Sequence, residues 1–186
     1  MFIQTEATPN PATLKFLPGQ PVLAEGVLDV PSAAEAERSP LAARLFTVPG
    51  VTGVFLGSDF ITVTKAGDAE WHHLKPAILG AVMEHFLSGA PAVVAGEDGA
   101  GDAEEFYDSK DADVVAQIKE LLDTRVRPAV AGDGGDISFR GFRDGIVFVH
   151  MKGACSGCPS STATLRSGVQ NLLRHFVPEV VEVHPV

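Results

Sequence analysis

Apolar residues along this chain recur at two different periods, and the switches between them mark its elements. Phe2-Ile3-Gln4-Thr5 and Leu14-Lys15-Phe16-Leu17 read as short strands. Between them, Thr8-Pro9-Asn10-Pro11 forces an extended or turning path, because each proline fixes its own φ and restricts the residue before it. Residues 18–38, rich in Pro, Ala and Glu, carry no period and read as an irregular surface excursion. Ser39-Pro40 predicts a helix start, with Leu41, Leu45 and Phe46 as the apolar side of a helix over 40–47. Residues 51–56 and 60–64, joined through Gly57-Ser58-Asp59, predict a hairpin. Trp71, Leu74, Ile78, Val82, Phe86 and Leu87 then predict an amphipathic helix over 71–87, stopped at Gly89.

The pattern lapses over residues 91–110, where Gly, Ala, Asp and Glu dominate and too little apolar surface is on offer to order the chain. It resumes after Asp111 with Val114, Val115, Ile118, Leu121, Leu122 and Val126 at helical spacing, and Pro128 is expected to end that helix. Gly132-Asp133-Gly134-Gly135-Asp136 reads as a turn, and residues 137–142 and 146–151 as a hairpin around Arg143-Asp144-Gly145. Leu165, Val169, Leu172, Leu173 and Phe176 predict a helix over 159–175, followed by a strand over 180–183. The expected fold is α+β in two small domains, each an antiparallel sheet packed with two helices. They are residues 1–90 and 111–186, joined by an acidic flexible linker over 91–110.

Composition adds limits. The chain is 45% hydrophobic, with mean hydropathy +0.16, so it can build proper cores. No apolar run approaches the ~18–20 residues a membrane span needs. Met1-Phe2-Ile3-Gln4-Thr5-Glu6 has no basic region and no Arg-rich presequence character, so a soluble, cytoplasmic protein is expected. The net charge is −10, and residues 91–113 alone carry eight acids against one lysine. An acidic chain with no basic stripe excludes nucleic acid and anionic membrane as expected partners.

The chemistry concentrates in Gly153-Ala154-Cys155-Ser156-Gly157-Cys158-Pro159-Ser160-Ser161, which holds the chain's two cysteines on a predicted strand-to-helix turn. Free backbone N–H groups and the positive helix end are expected to favour thiolate there, which suits a metal or redox chemistry. A dithiol redox enzyme is one reading, although few residues follow Cys158 for the strands and proline loop of a thioredoxin-like domain. Zinc would need two more ligands, for which His150 and His175 are the candidates, at a spacing that fits no finger. An iron–sulfur cluster wants four thiolates, a count that closes if two chains each give a pair. Lys152 beside the turn reads as a solvated lysine or as a cation that offsets charge at the site, and Asp133 and Asp136 read as turn-formers supporting the cysteine loop. Trp71 reads as a core or helix-start anchor, and His72-His73 as a polar helix face.

Thr8-Pro9-Asn10-Pro11 with Leu14-Lys15-Phe16, Gly132-Asp133-Gly134-Gly135-Asp136, the cysteine motif, Thr164-Leu165 and Pro178-Glu179-Val180 together resemble the NifU-like (Nfu) iron–sulfur carrier family. The resemblance spans nearly the whole chain, with an Nfu-type N-terminal domain and a NifU C-terminal-type domain. It implies a non-enzymatic scaffold and carrier that assembles a [4Fe–4S] cluster between two subunits, with Cys155 and Cys158 in the ligand positions. The implied partners are a second copy of the chain, cluster-assembly machinery as donor and apo iron–sulfur proteins as recipients. The alternative is a dithiol/disulfide redox protein using the same two cysteines. Residues 1–90, with no cysteine, are expected to recognise partners without binding iron.

Overall fold

The structure is a computed structural model that describes residues 1–94, 104–156 and 159–186, and the side chains of all these except 159–161. The chain divides into two compact units, Met1–Ala100 and Gly101–Val186.

The first unit is a five-stranded sheet with two α-helices. Its strands are β1 (Gln4–Ala7), β2 (Thr13–Leu17), β3 (Leu28–Val30), β4 (Val51–Leu56) and β5 (Ile61–Lys65), in the order β1-β2-β5-β4-β3. Every neighbouring pair is antiparallel. Helices α1 (Pro40–Phe46) and α2 (Trp71–Ser88) supply Leu41, Leu45, Leu74, Ile78 and Val82 to a core shared with Phe16, Val54, Leu56, Ile61 and Val63. Burying each such side chain contributes about 1.5–3 kcal/mol. The Ser39 hydroxyl caps α1 by accepting from the Ala42 N–H at 3.0 Å, and Gly89 closes α2 with φ 69°. Trp71 is an anchor, its indole N–H donating to the Pro11 carbonyl at 3.1 Å.

Residues 18–38 are more regular than expected, since they hold β3 and a 3-10 helix, Ala33–Arg38. A three-residue strand is too short to display a period, so its pairing to β4 was hidden in the sequence.

In the second unit the strands are β6 (Phe106–Tyr107), β7 (Gly135–Arg143), β8 (Ile146–Gly153) and β9 (Glu182–Pro185), in that spatial order. The central β7–β8 pair is the expected antiparallel hairpin, turning through Asp144 at φ 53° and Gly145 at φ 79°. Both outer pairings are parallel, so this sheet is mixed and not antiparallel throughout. The β8–β9 pairing is parallel because helix α5 (Pro159–Phe176) serves as the crossover between them.

Helix α3 (Ala112–Leu121) does not stop at Pro128. It passes through a π-helical turn, Leu122–Val126, into α4 (Arg127–Gly132), with Pro128 in the first turn of α4. A widened turn directly before the proline makes room for its ring and spares the N–H it lacks. Val115, Ile118, Leu122, Val126 and Val130 from these helices, with Val169 and Leu173 of α5, pack on Ile137, Phe139, Val147, Val149 and Met151. Helices α3, α4 and α5 thus lie on one face of the sheet.

The expected linker has structured flanks. The Val94 N–H donates to the Arg38 carbonyl at 3.0 Å, and Phe106–Tyr107 pair with β7, while residues 95–103 lie outside the described residues. Among the described residues, no helix is long and apolar enough to cross a membrane.

Candidate metal centre

Strand β8 ends at Gly153, whose φ of 69° turns the chain out of the sheet toward α5. The turn that follows is held on several sides. Its Ala154 N–H donates to the Gly134 carbonyl at 3.2 Å, and the Ser156 N–H and hydroxyl both donate to the Gly153 carbonyl, at 3.1 and 2.8 Å. The Thr162 hydroxyl, in the first turns of α5, donates to the Cys155 carbonyl at 3.0 Å. The cysteine backbone is therefore fixed to the sheet on one side and to the helix on the other.

The Gly132–Asp136 stretch lies against this turn. Gly134 has φ 81°, and Gly135 stands opposite Gly153 in the β7–β8 register. A Cβ on Gly135 would come within 2.6 Å of the Lys152 carbonyl oxygen and 2.9 Å of Cys155 Sγ, so only glycine fits. Next to it, Asp136 is buried at 5% exposure and accepts from Arg127 of α4, Nε to Oδ1 at 2.9 Å and Nη2 to Oδ2 at 3.1 Å. This paired hydrogen bond raises the Arg127 pKa further above its ordinary value.

Cys155 is a free cysteine, 5% exposed. Burial, then the nearby Asp133 and Asp136 carboxylates, push its thiol up to about 11. The expectation of a turn that favours thiolate is therefore corrected at Cys155. Loss of solvation and two anionic neighbours oppose the charged sulfur here, and Cys155 precedes the helix whose dipole was expected to help. Cys158 and Gly157 lie outside the described residues.

The histidines considered for zinc do not gather at Cys155. The His150 Nδ1 meets Arg140 Nη2 at 2.9 Å on the helix-free face of the sheet. His175 lies in the last turn of α5, about 24 Å along the helix axis from Pro159, with its ring against Phe176. Among the described residues no three His, Cys, Asp or Glu side chains are grouped as a metal site. The His72 and His73 rings meet at a tilt, their centres 4.0 Å apart, on an exposed first turn of α2. Sequence reasoning missed Arg127 and Thr162, whose partners are set by tertiary packing and carry no spacing signal.

Comparison with known proteins places this geometry in a family. Residues 3–89 match the family described as scaffold protein Nfu/NifU N terminal, and residues 118–184 match the NifU-like domain. The human protein named NFU1 iron-sulfur cluster scaffold homolog, mitochondrial, is 51% identical over 187 residues, covering 100% of this chain and 72% of that protein. The Arabidopsis thaliana NifU-like protein 4, mitochondrial, is 50% identical over 182 residues, covering 97% of this chain and 64% of that protein. A solution structure of a NifU-like protein from Saccharomyces cerevisiae overlaps 52% of this chain and 87% of its own, at 25% identity and TM-score 0.47. The relatives' names place them in mitochondria, which overturns the expectation of a cytoplasmic protein. That expectation rested on residues 1–6, and the first residues of a chain spanning part of its relatives' length do not report the compartment. With both units matched and about half of its residues identical to relatives aligned over nearly the whole of this chain, the chain belongs to the Nfu/NifU family.

Proposed function

We propose that this chain is an iron–sulfur cluster scaffold and carrier, holding a [4Fe–4S] cluster between the Cys155 and Cys158 thiolates of two subunits and passing it to apo-proteins. The observation that carries the reading is the cysteine turn itself. A chain with two cysteines places one of them on a turn fixed by Gly134, Gly153 and Thr162, and its relatives are named as cluster scaffolds. Two thiols per chain leave a four-thiolate cluster half-ligated, so a second copy supplies the other pair.

The raised proton affinity of Cys155 suits delivery. When a recipient thiol takes over an iron, its proton is lost, one iron–sulfur bond to this chain breaks and one to the recipient forms. The sulfur set free on Cys155 then takes up a proton readily. Proton and iron compete for that sulfur, which keeps the cargo exchangeable. On this reading the chain acts as a carrier and not as a catalyst. The alternative, a dithiol/disulfide redox protein, needs an attacking sulfur that is thiolate near neutral pH, and the burial of Cys155 counts against it.

Anaerobic reconstitution with iron and sulfide, followed by mixing with an apo [4Fe–4S] protein, tests the proposal. The expected result is a brown protein that loses its visible absorbance as the recipient gains activity. A colourless protein that instead reduces a test disulfide would overturn it.

A further inference from the structure

The helices of the second unit cover one face of its sheet, and the other face carries an aromatic stripe. Phe106 of β6 lies flat over Gly141 of β7, where a Cβ would come within 2.4 Å of its ring. Gly141 stands opposite Phe148 of β8, and Phe148 opposite His184 of β9. The ring centres run Phe106–Phe148 at 5.1 Å and Phe148–His184 at 6.0 Å, so the stripe crosses the sheet from edge to edge. Phe106 is 39% exposed, and neither it nor Phe148 belongs to the core beneath the helices.

Cations border this stripe. The Arg143 guanidinium sits 5.6 Å from the Phe106 ring centre, Arg140 meets His150 on the same face, and Lys152 follows two residues on. Two acids border the same strands and each has its own partner: Glu182 meets Arg166 and His184, and Asp136, opposite Lys152 in the β7–β8 register, is gripped by Arg127. A chain of net charge −10 has thus set three cations around its aromatic stripe.

We propose that this face docks an acidic amphipathic helix of a partner protein. This deepens the carrier reading and rests on it, since strand β8 runs from the stripe straight into the cysteine turn. Length fits the occupant. The apolar side chains at i and i+7 of a helix are about 10.5 Å apart along its axis, close to the run of the three rings, and i+3 or i+4 falls on the middle one. Charge fits as well, because acidic flanks on such a helix would meet Arg140, Arg143 and Lys152. An anionic membrane fits less well, since three cations oppose the repulsion of a −10 chain.

The test uses the full metal-free chain, labelled with ¹⁵N. Its probes are a synthetic helix with Leu at i, i+4 and i+7 and Glu elsewhere, the same helix with Lys for Glu, and vesicles of anionic phospholipid. The acidic helix should shift amide signals of β6, β7, β8 and β9 around Phe106, Gly141, Phe148 and His184, and the Lys helix should not. Raising salt should weaken binding, and Arg140→Glu with Arg143→Glu should weaken it about tenfold. Phe148→Ser should abolish it. Circular dichroism checks that each variant stays folded, and the exposed Arg143→Glu alone, expected to weaken binding severalfold, serves if Phe148→Ser unfolds. Equal binding of both helices, signal changes elsewhere, or binding to vesicles alone would overturn the proposal. Cluster loading is read separately in the same variants and is expected to be unchanged. A wild-type chain that takes no cluster but binds the acidic helix would sink the carrier reading and leave the docking face standing.

Discussion

Arg127 and Asp136 face each other across the second unit, joined by two parallel hydrogen bonds of 2.9 and 3.1 Å. Arg127 belongs to α4, and Asp136 directly follows the Gly135 on which the cysteine turn rests. The pair therefore links the helix layer to the floor of the candidate metal centre. Arg127→Ala leaves a buried carboxylate without its partner and is expected to lower stability of the second unit by about 1–3 kcal/mol. Arg127→Lys, which cannot grip both oxygens, should lose part of that. Hydrogen exchange at β7 and β8 amides in the full chain measures both, and wild-type protection in Arg127→Ala would show the pair to be idle.

Gly135→Ala tests the contact on the other side of that carboxylate. The new methyl group meets the Lys152 carbonyl and Cys155 Sγ, so strand or turn must shift, at a cost of about 1–3 kcal/mol. Cluster retention in the variant should drop with it. Unchanged iron content and melting temperature would mean that the turn is more forgiving than its geometry suggests.

The Cys155 thiol carries a pH signature. Its folded value is raised from 9.0 to about 11, so the folded state holds this proton more tightly than the unfolded chain. The resulting stability is fully present below pH about 9 and is lost as pH rises toward about 11. Alkylation of Cys155 in metal-free protein should accordingly be slow at pH 7–8 and climb steeply above pH 9. Mass spectrometry of the modified peptide tells it from Cys158, and rapid alkylation of Cys155 at pH 7 would contradict the burial.

His85 makes the opposite prediction for the first unit. It is 1% exposed, and among the described residues neither ring nitrogen has a hydrogen-bond partner. Burial first, and then the Arg44 charge, lower its pKa below 6.5. Its contribution is therefore intact above pH 6.5 and is lost as pH falls through the lower folded value. His85→Leu removes an unsatisfied polar group and should raise stability by about 1 kcal/mol, flattening the acid limb of melting temperature against pH. A variant with the wild-type acid limb would place the titration elsewhere.

How much of this was legible in the sequence depended on the range of the interaction. The residue 51–64 hairpin, the helix over 71–87 and the paired strands before the cysteines follow from local period, and all three formed. Pro128 misled because its effect depends on the π turn before it, which no residue preference announces. The final strand was expected at 180–183 and lies at Glu182–Pro185, because pairing with β8 fixes its register and its own short apolar run does not. Edge strand β6 was hidden in acidic sequence, its two aromatics ordered by Gly141 and Phe142 across the sheet. At the cysteine turn the residues were legible and the electrostatics were not. The sequence displays a helix start near Cys155, whereas burial and the two carboxylates that raise its thiol appear only in three dimensions.

Anaerobic sedimentation of the reconstituted full chain, with iron counted in the same sample, tests most directly whether two copies share one cluster. The account predicts a monomer without metal, and a dimer carrying about four irons per two chains with it. Cys155→Ser and Cys158→Ser should each abolish colour and dimer together. A stable cluster on a monomer, or a dimer that persists unchanged in the double Ser variant, would contradict it.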